Sequence, residues 1–196
     1  MKNKMWFDRT SQCFALFALS VTGCLGQVQL PKLSEEEARV AKIFSAQVHQ
    51  YLKLRTDLEA SMPTLKPTNE AARIAEHQHA LAKVIAQARH DAKQGDIFTP
   101  EVTAYFLAII HSEFRGPKSK LSRETKKQND PAKSIAPLRV NDVYPAELPL
   151  AAMPPVLLLK LPQLPKEMAY RIVGHDLTLK DTKAELIVDF IPKAIP

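Results

Sequence analysis

The stretch Tyr170-Arg-Ile-Val-Gly-His-Asp-Leu-Thr-Leu-Lys-Asp-Thr-Lys-Ala-Glu-Leu-Ile-Val-Asp-Phe-Ile191 decides the fold class. Tyr170 and Ile172 alternate with Arg171 and Val173, and Leu177 and Leu179 flank Thr178. That two-residue period is the signature of a half-buried strand. Gly174-His175 supplies a tight turn, because Gly adopts the positive φ that hairpin turns need. Strands are therefore expected at about 170–173, 177–180 and 185–191. In the last, Ala184, Leu186, Val188 and Phe190 share one face, and Glu185 and Asp189 take the other. Upstream, Val156-Leu157-Leu158-Leu159 reads as a fourth strand, confined to an edge by Pro155 and Pro162. A meander this small needs a second surface to pack on.

Working toward the N-terminus, that surface is helical. Ser34-Glu35-Glu36-Glu37 reads as a capping box that opens a helix over 35–61. Val40, Phe44, Val48, Tyr51, Leu54 and Leu58 recur at spacings of three and four, the period of one buried helix face. Pro63 and Pro67 bracket a break. Thr68 is expected to cap a second helix that runs to about 94 and closes at Gly95. Its stripe is Ile74, Leu81, Val84, Ile85 and Ala88. Two helices of similar length with a short joint should form a hairpin. Thr99-Pro100 opens a third, shorter helix, with Val102, Tyr105, Phe106, Ile109 and Ile110 packing into the hairpin's open seam. Gly116-Pro117 ends it.

The fold class is thus α+β: a helical hairpin, a third short helix, a basic linker and a small antiparallel β-meander. The segments are 1–23, an export signal; 24–33, a tether; 34–116, the helical domain; 117–150, a flexible Pro-containing basic linker; and 151–196, the β-rich end. Ten of the 15 prolines fall after residue 130, which excludes long helices there. Beyond residue 33 the only glycines are Gly95, Gly116 and Gly174. Such scattered glycines cannot form a phosphate-cradling loop.

The first 24 residues hold both cysteines, Cys13 and Cys24. Basic Lys2, Lys4 and Arg9 precede an apolar stretch from Cys13 to Val21. These parts make an export signal, and roughly 10 apolar residues are too few to span a bilayer, which takes about 20. The tetrapeptide Val21-Thr22-Gly23-Cys24 resembles a bacterial lipobox. The resemblance implies that Cys24 carries the lipid and becomes the new N-terminus. Leu25 rather than Asp after it then implies the outer membrane of a Gram-negative cell, facing the periplasm. The alternative is ordinary cleavage after Gly26, which gives a soluble periplasmic or secreted chain starting at Gln27. Cutting before Cys24 removes Lys2, Lys4, Arg9 and Asp8 and leaves 24 basic against 20 acidic residues, a net +4. At most one Cys remains, so no internal disulfide forms. The ending from Tyr170 to Ile191 is similar to that of a group of exported bacterial proteins with no established activity. That resemblance covers about 22 residues and implies no site.

Candidates for chemistry are few. In His77-Gln78-His79 the two imidazoles point about 200° apart on a helix and cannot share an ion. A hairpin folded about residue 65 brings His49 nearer to His77, but a zinc site usually takes three or four protein ligands. His175-Asp176 beside a turn has no partner to make it an acid–base pair. Ser45 and His49 are one helical turn apart with no third group. No catalytic constellation emerges, and no cofactor is expected. Between 115 and 133, seven basic residues face only Glu124 and Asp130. Lys118, Lys120, Arg123, Lys126 and Lys127 are candidates for contact with anionic headgroups. Nucleic acid is disfavoured, since no aromatic residue is interleaved for base stacking. The expected role is a non-catalytic interaction or structural lipoprotein. Its partner would be another envelope protein or a second copy. The alternative is a periplasmic helical sensor or chaperone-like binder, made metal-responsive by His49 and His77.

Overall fold

A computed structural model describes residues 34–115, 137–144 and 153–196. Helices α1 (Glu35–Ala60), α2 (Ala71–Ala88), α3 (Pro100–Phe114) and α4 (Pro155–Lys160) precede strands β1 (Met168–Val173), β2 (Asp176–Asp181) and β3 (Leu186–Ile191). The strands form one antiparallel sheet in the order β1-β2-β3. The architecture is α+β. Among the described residues no helix is long and apolar enough to cross a membrane.

Helix α1 begins as its sequence demands. Ser34 Oγ accepts the Glu37 amide at 3.2 Å, and the Glu37 carboxylate accepts the Ser34 amide at 2.8 Å. Glu35, Glu36 and Glu37 in the first turn also suit the positive end of the helix dipole. Val40, Phe44, Val48 and Tyr51 are buried, but the next buried position is Arg55, while Leu54 and Leu58 are only half-buried. The seam bends toward Arg55 because Asp181 of β2 lies 3.5 Å from its Nε.

Helix α2 is shorter than expected. Thr68 does not cap it: its Oγ1 accepts the Glu70 amide in a turn, and the helix starts at Ala71. It ends at Ala88, not at about 94. Arg89 leaves helical geometry, and its guanidinium donates to Asn141 Oδ1 at 2.9 Å and to the Val188 carbonyl at 3.2 Å. Gly95 therefore sits in the following loop, at φ +94. Leu81, Ala82 and Ile85 are buried, whereas Ile74 at the near end is 38 % exposed. Helix α3 is capped by Thr99, whose Oγ1 accepts the Val102 amide, with Pro100 in the first turn. Helix α1 packs against both α2 and α3, and α3 also meets α4.

The expected fourth strand is a helix instead. Pro155 stands in its first turn, where a missing N–H costs nothing, and Leu157 drives into the core. In the sheet, Val173 pairs with Asp176 across Gly174-His175 as expected. Strand β3 departs from simple alternation. Leu179 pairs with Asp189 and Lys180 with Ile187, so Val188 is an extra residue, a β-bulge. Leu186 and Val188 face the helices; after the bulge Ile191 does too, while Phe190 joins Ile187 on the far side. Asp189, expected on the solvent face, is fully buried toward the helices.

Residues 141–144 fall in the expected linker, yet they pair with β3. Val143 bridges Leu186, the Asn141 amide donates to Ile187 O, and the Ile187 amide donates to Asp142 O. Helices and sheet share one core. Phe44 of α1 stacks on Phe98 at 5.6 Å and on Tyr170 of β1 at 6.3 Å, and meets Phe106 of α3 edge-on at 5.0 Å.

Candidate functional site

Cys24, Lys118, Lys120, Arg123, Lys126 and Lys127 lie outside the described residues. His49 is exposed on α1, and its Nδ1 is 2.7 Å from the Ser45 carbonyl, the usual partner one turn back. His77 lines a cavity of about 520 Å3 with Thr56, Glu59, Pro63, Thr64, Leu65 and Lys183, and His49 is not among the lining residues. Glu59 there is engaged by Lys183 and Arg55. His175 Nδ1 holds the Ile195 carbonyl at 2.8 Å, and the Asp176 carboxylate accepts the Lys193 amide. That pair fastens the C-terminal turn to the hairpin. Among the described residues no three His, Cys, Asp or Glu side chains gather as a metal site.

Two buried carboxylates escaped the sequence reading. Asp189 accepts the amides of Gly95 at 2.9 Å and of Ile97, Phe98 and Phe190 at 2.8 Å. Asp181 accepts the Tyr51 hydroxyl at 2.8 Å and the amides of Lys183 and Ala184. Burial, and then the Asp181 charge, push the Tyr51 hydroxyl far above its ordinary range, so it stays a neutral donor. Both carboxylates spend their lone pairs on fixed donors. They hold loops in place.

The two edges of the sheet are treated differently. Residues 141–144 cover the Leu186–Ile187 end of the outer edge of β3. On β1, Val173 and Asp176 flank a two-residue turn and form a hydrogen-bonded pair. Alternation then makes Arg171 and Ala169 bond to β2 and turns the amides and carbonyls of Tyr170 and Ile172 outward. Among the described residues no strand pairs with that edge. The Tyr170 carbonyl accepts from its neighbour's guanidinium, Arg171 Nη1 at 2.9 Å.

Beside this edge runs a groove of about 560 Å3. Its walls are Met153, Leu158, Pro162, Gln163 and Leu164 on one side and β1 from Met168 to Arg171 on the other. The Tyr170 hydroxyl ties the walls together by donating to the Pro162 carbonyl at 2.9 Å. Burial holds that hydroxyl far above its ordinary range, so the tie does not titrate. Leu158 on the rim and its neighbour Leu159 are exposed, the latter by 81 %. Outward main-chain groups, an apolar wall and one guanidinium are the equipment for holding an extended chain. No protein-family model, curated protein or solved structure matches the chain.

Proposed function

We propose that this is an exported envelope protein, anchored through lipidated Cys24, that binds other proteins without catalysis by accepting an extended segment along β1. The outward-facing edge of β1 beside an apolar groove carries the reading. An added strand satisfies the amides and carbonyls of Tyr170 and Ile172, and the groove takes every second side chain of the guest. Exposed Leu158 and Leu159 extend the apolar contact. The lipobox-like Val21-Thr22-Gly23-Cys24 supports the anchor and the compartment. A metal-responsive role has less support, since His77 lines a cavity whose walls do not include His49.

Hydrogen exchange tests strand addition directly. Titration with a short acetylated peptide of alternating Val and Thr is expected to slow exchange at the Tyr170 and Ile172 amides. The Ala169 and Arg171 amides, already bonded within the sheet, should change little. The double variant Leu158→Lys, Leu159→Lys should weaken the effect without lowering the melting temperature, because both side chains are exposed. Unchanged exchange at Tyr170 and Ile172 under saturating peptide would refute the reading.

A further inference from the structure

We propose that the segment accepted along β1 carries a carboxylate, an Asp or Glu at the position facing Arg171, within an otherwise apolar strand. This rests on the strand-addition reading and specifies its ligand. Arg171 is the only charged residue among the described residues that line the groove. Its Nη1 donates to the Tyr170 carbonyl, but its Nε is buried and has no acceptor. The hydroxyl of Tyr144 is likewise buried without a partner. The two side chains are close enough for the Arg171 charge to act on the Tyr144 hydroxyl. Burial, the larger effect, raises that hydroxyl above its ordinary range, so it remains an O–H donor.

Two buried donors thus face the same side of the sheet, and neither has a hydrogen-bond acceptor among the described residues. Buried donors are nearly always paired, and an unpaired one calls for an explanation. The local acids are already engaged. Glu185 is paired with Lys180, whose Nζ lies 4.5 Å above the Tyr144 ring. The Asp176 carboxylate accepts the Lys193 amide. The Thr178 hydroxyl donates to the Arg171 carbonyl, and Arg171 Nε does not use it as an acceptor. The only remaining buried side-chain donor without a hydrogen bond among the described residues, Arg55 Nε, at least has Asp181 at 3.5 Å. Among the described residues Arg171 has no such carboxylate within 4 Å.

Strand addition supplies one. In the free protein Arg171 blunts the edge by covering the Tyr170 carbonyl, as edge strands often need. An incoming strand brings its own amide to that carbonyl and displaces Nη1. The released guanidinium then has a fork of donors to offer. A carboxylate on the guest fills it with two parallel hydrogen bonds, and an amide or a cation does not.

Three forms of the acetylated Val/Thr peptide, differing only in a central Glu, Gln or Lys, test this by fluorescence anisotropy on the full chain. The Glu form is expected to bind about tenfold more tightly than the Gln form, with the Lys form weakest. Arg171→Gln should erase the difference between Glu and Gln, and Arg171→Lys should keep part of it, because it retains the charge but loses the fork. Equal binding of the Glu and Gln forms by the unaltered protein overturns the carboxylate and leaves strand addition standing. A Glu preference that survives in folded Arg171→Gln overturns the assignment to Arg171. Failure of all three peptides to bind overturns both proposals. Should Arg171→Gln not fold, the contrast between Glu and Gln on the unaltered protein decides.

Discussion

Tyr51 on α1 donates its hydroxyl to Asp181 at the end of β2 at 2.8 Å, across 130 positions of sequence. This bond stitches the helical layer to the sheet at a fully buried carboxylate. Tyr51→Phe removes the donor and keeps the ring. A hydrogen bond to a charged group contributes about 1.5–3 kcal/mol. Chemical denaturation should show a loss of that order, and Asp181→Ala a larger one, since it also removes the carboxylate beside Arg55 Nε and the acceptor of the Lys183 and Ala184 amides. A Tyr51→Phe protein as stable as the original would mean that the bond contributes nothing.

The loop between α2 and α3 depends on Asp189 in the same way. Asp189→Ala leaves the amides of Gly95, Ile97 and Phe98 without an acceptor in the core. Each buried group so orphaned costs about 1–3 kcal/mol. The expected loss is about 3 kcal/mol or more, with exchange at those three amides accelerating before global unfolding. Asp189→Asn should be milder, as one oxygen remains.

Acid should fray the start of α1. The Ser34 amide, and then its hydroxyl, hold the Glu37 carboxyl below its ordinary range. A carboxylate with a depressed folded-state pKa stabilises above its unfolded value, and that contribution fades as pH falls through the folded one. Protection of the Ser34 and Glu37 amides, measured against their intrinsic exchange rates, should therefore fall on acidification in that window. Glu37→Gln should flatten the response; an identical pH profile in that variant would exclude the cap as its source.

Mass spectrometry of the mature N-terminal peptide from membrane and soluble fractions reads the anchor. An acylated peptide beginning at Cys24, found in membranes, is expected. An unmodified peptide beginning at Gln27 in the soluble fraction would remove the anchor from the proposed function.

The sequence is most legible where a local rule acts alone. Ser34 with Glu37, and Thr99 with Pro100, announce their helix starts, and both caps form. Thr68 offers the same kind of signal, but its hydroxyl is spent on the Glu70 amide and the helix begins later. The end of α2 follows from Arg89 reaching Asn141 and Val188, partners 52 and 99 residues away that no periodicity reveals. Val188 shows the limit most plainly. Strict alternation puts Asp189 in solvent, and one bulged residue reverses that and places a carboxylate under the α2–α3 loop. Val156-Leu157-Leu158-Leu159 is a short apolar run, for which helix and strand periods are equally satisfied. Pro155 at its head was the better guide. The groove was hidden for the same reason, since one of its walls is that helix.

The unlike edges of the sheet also set a stoichiometry. Residues 141–144 already pair with the Leu186–Ile187 end of β3, so on the proposed reading a guest strand adds on the β1 side. A sheet with two open sides can recruit copies in both directions and grow into a fibre. Here the paired end of β3 leaves the two flanks unlike, and the proposed strand addition is expected to saturate at one peptide per chain.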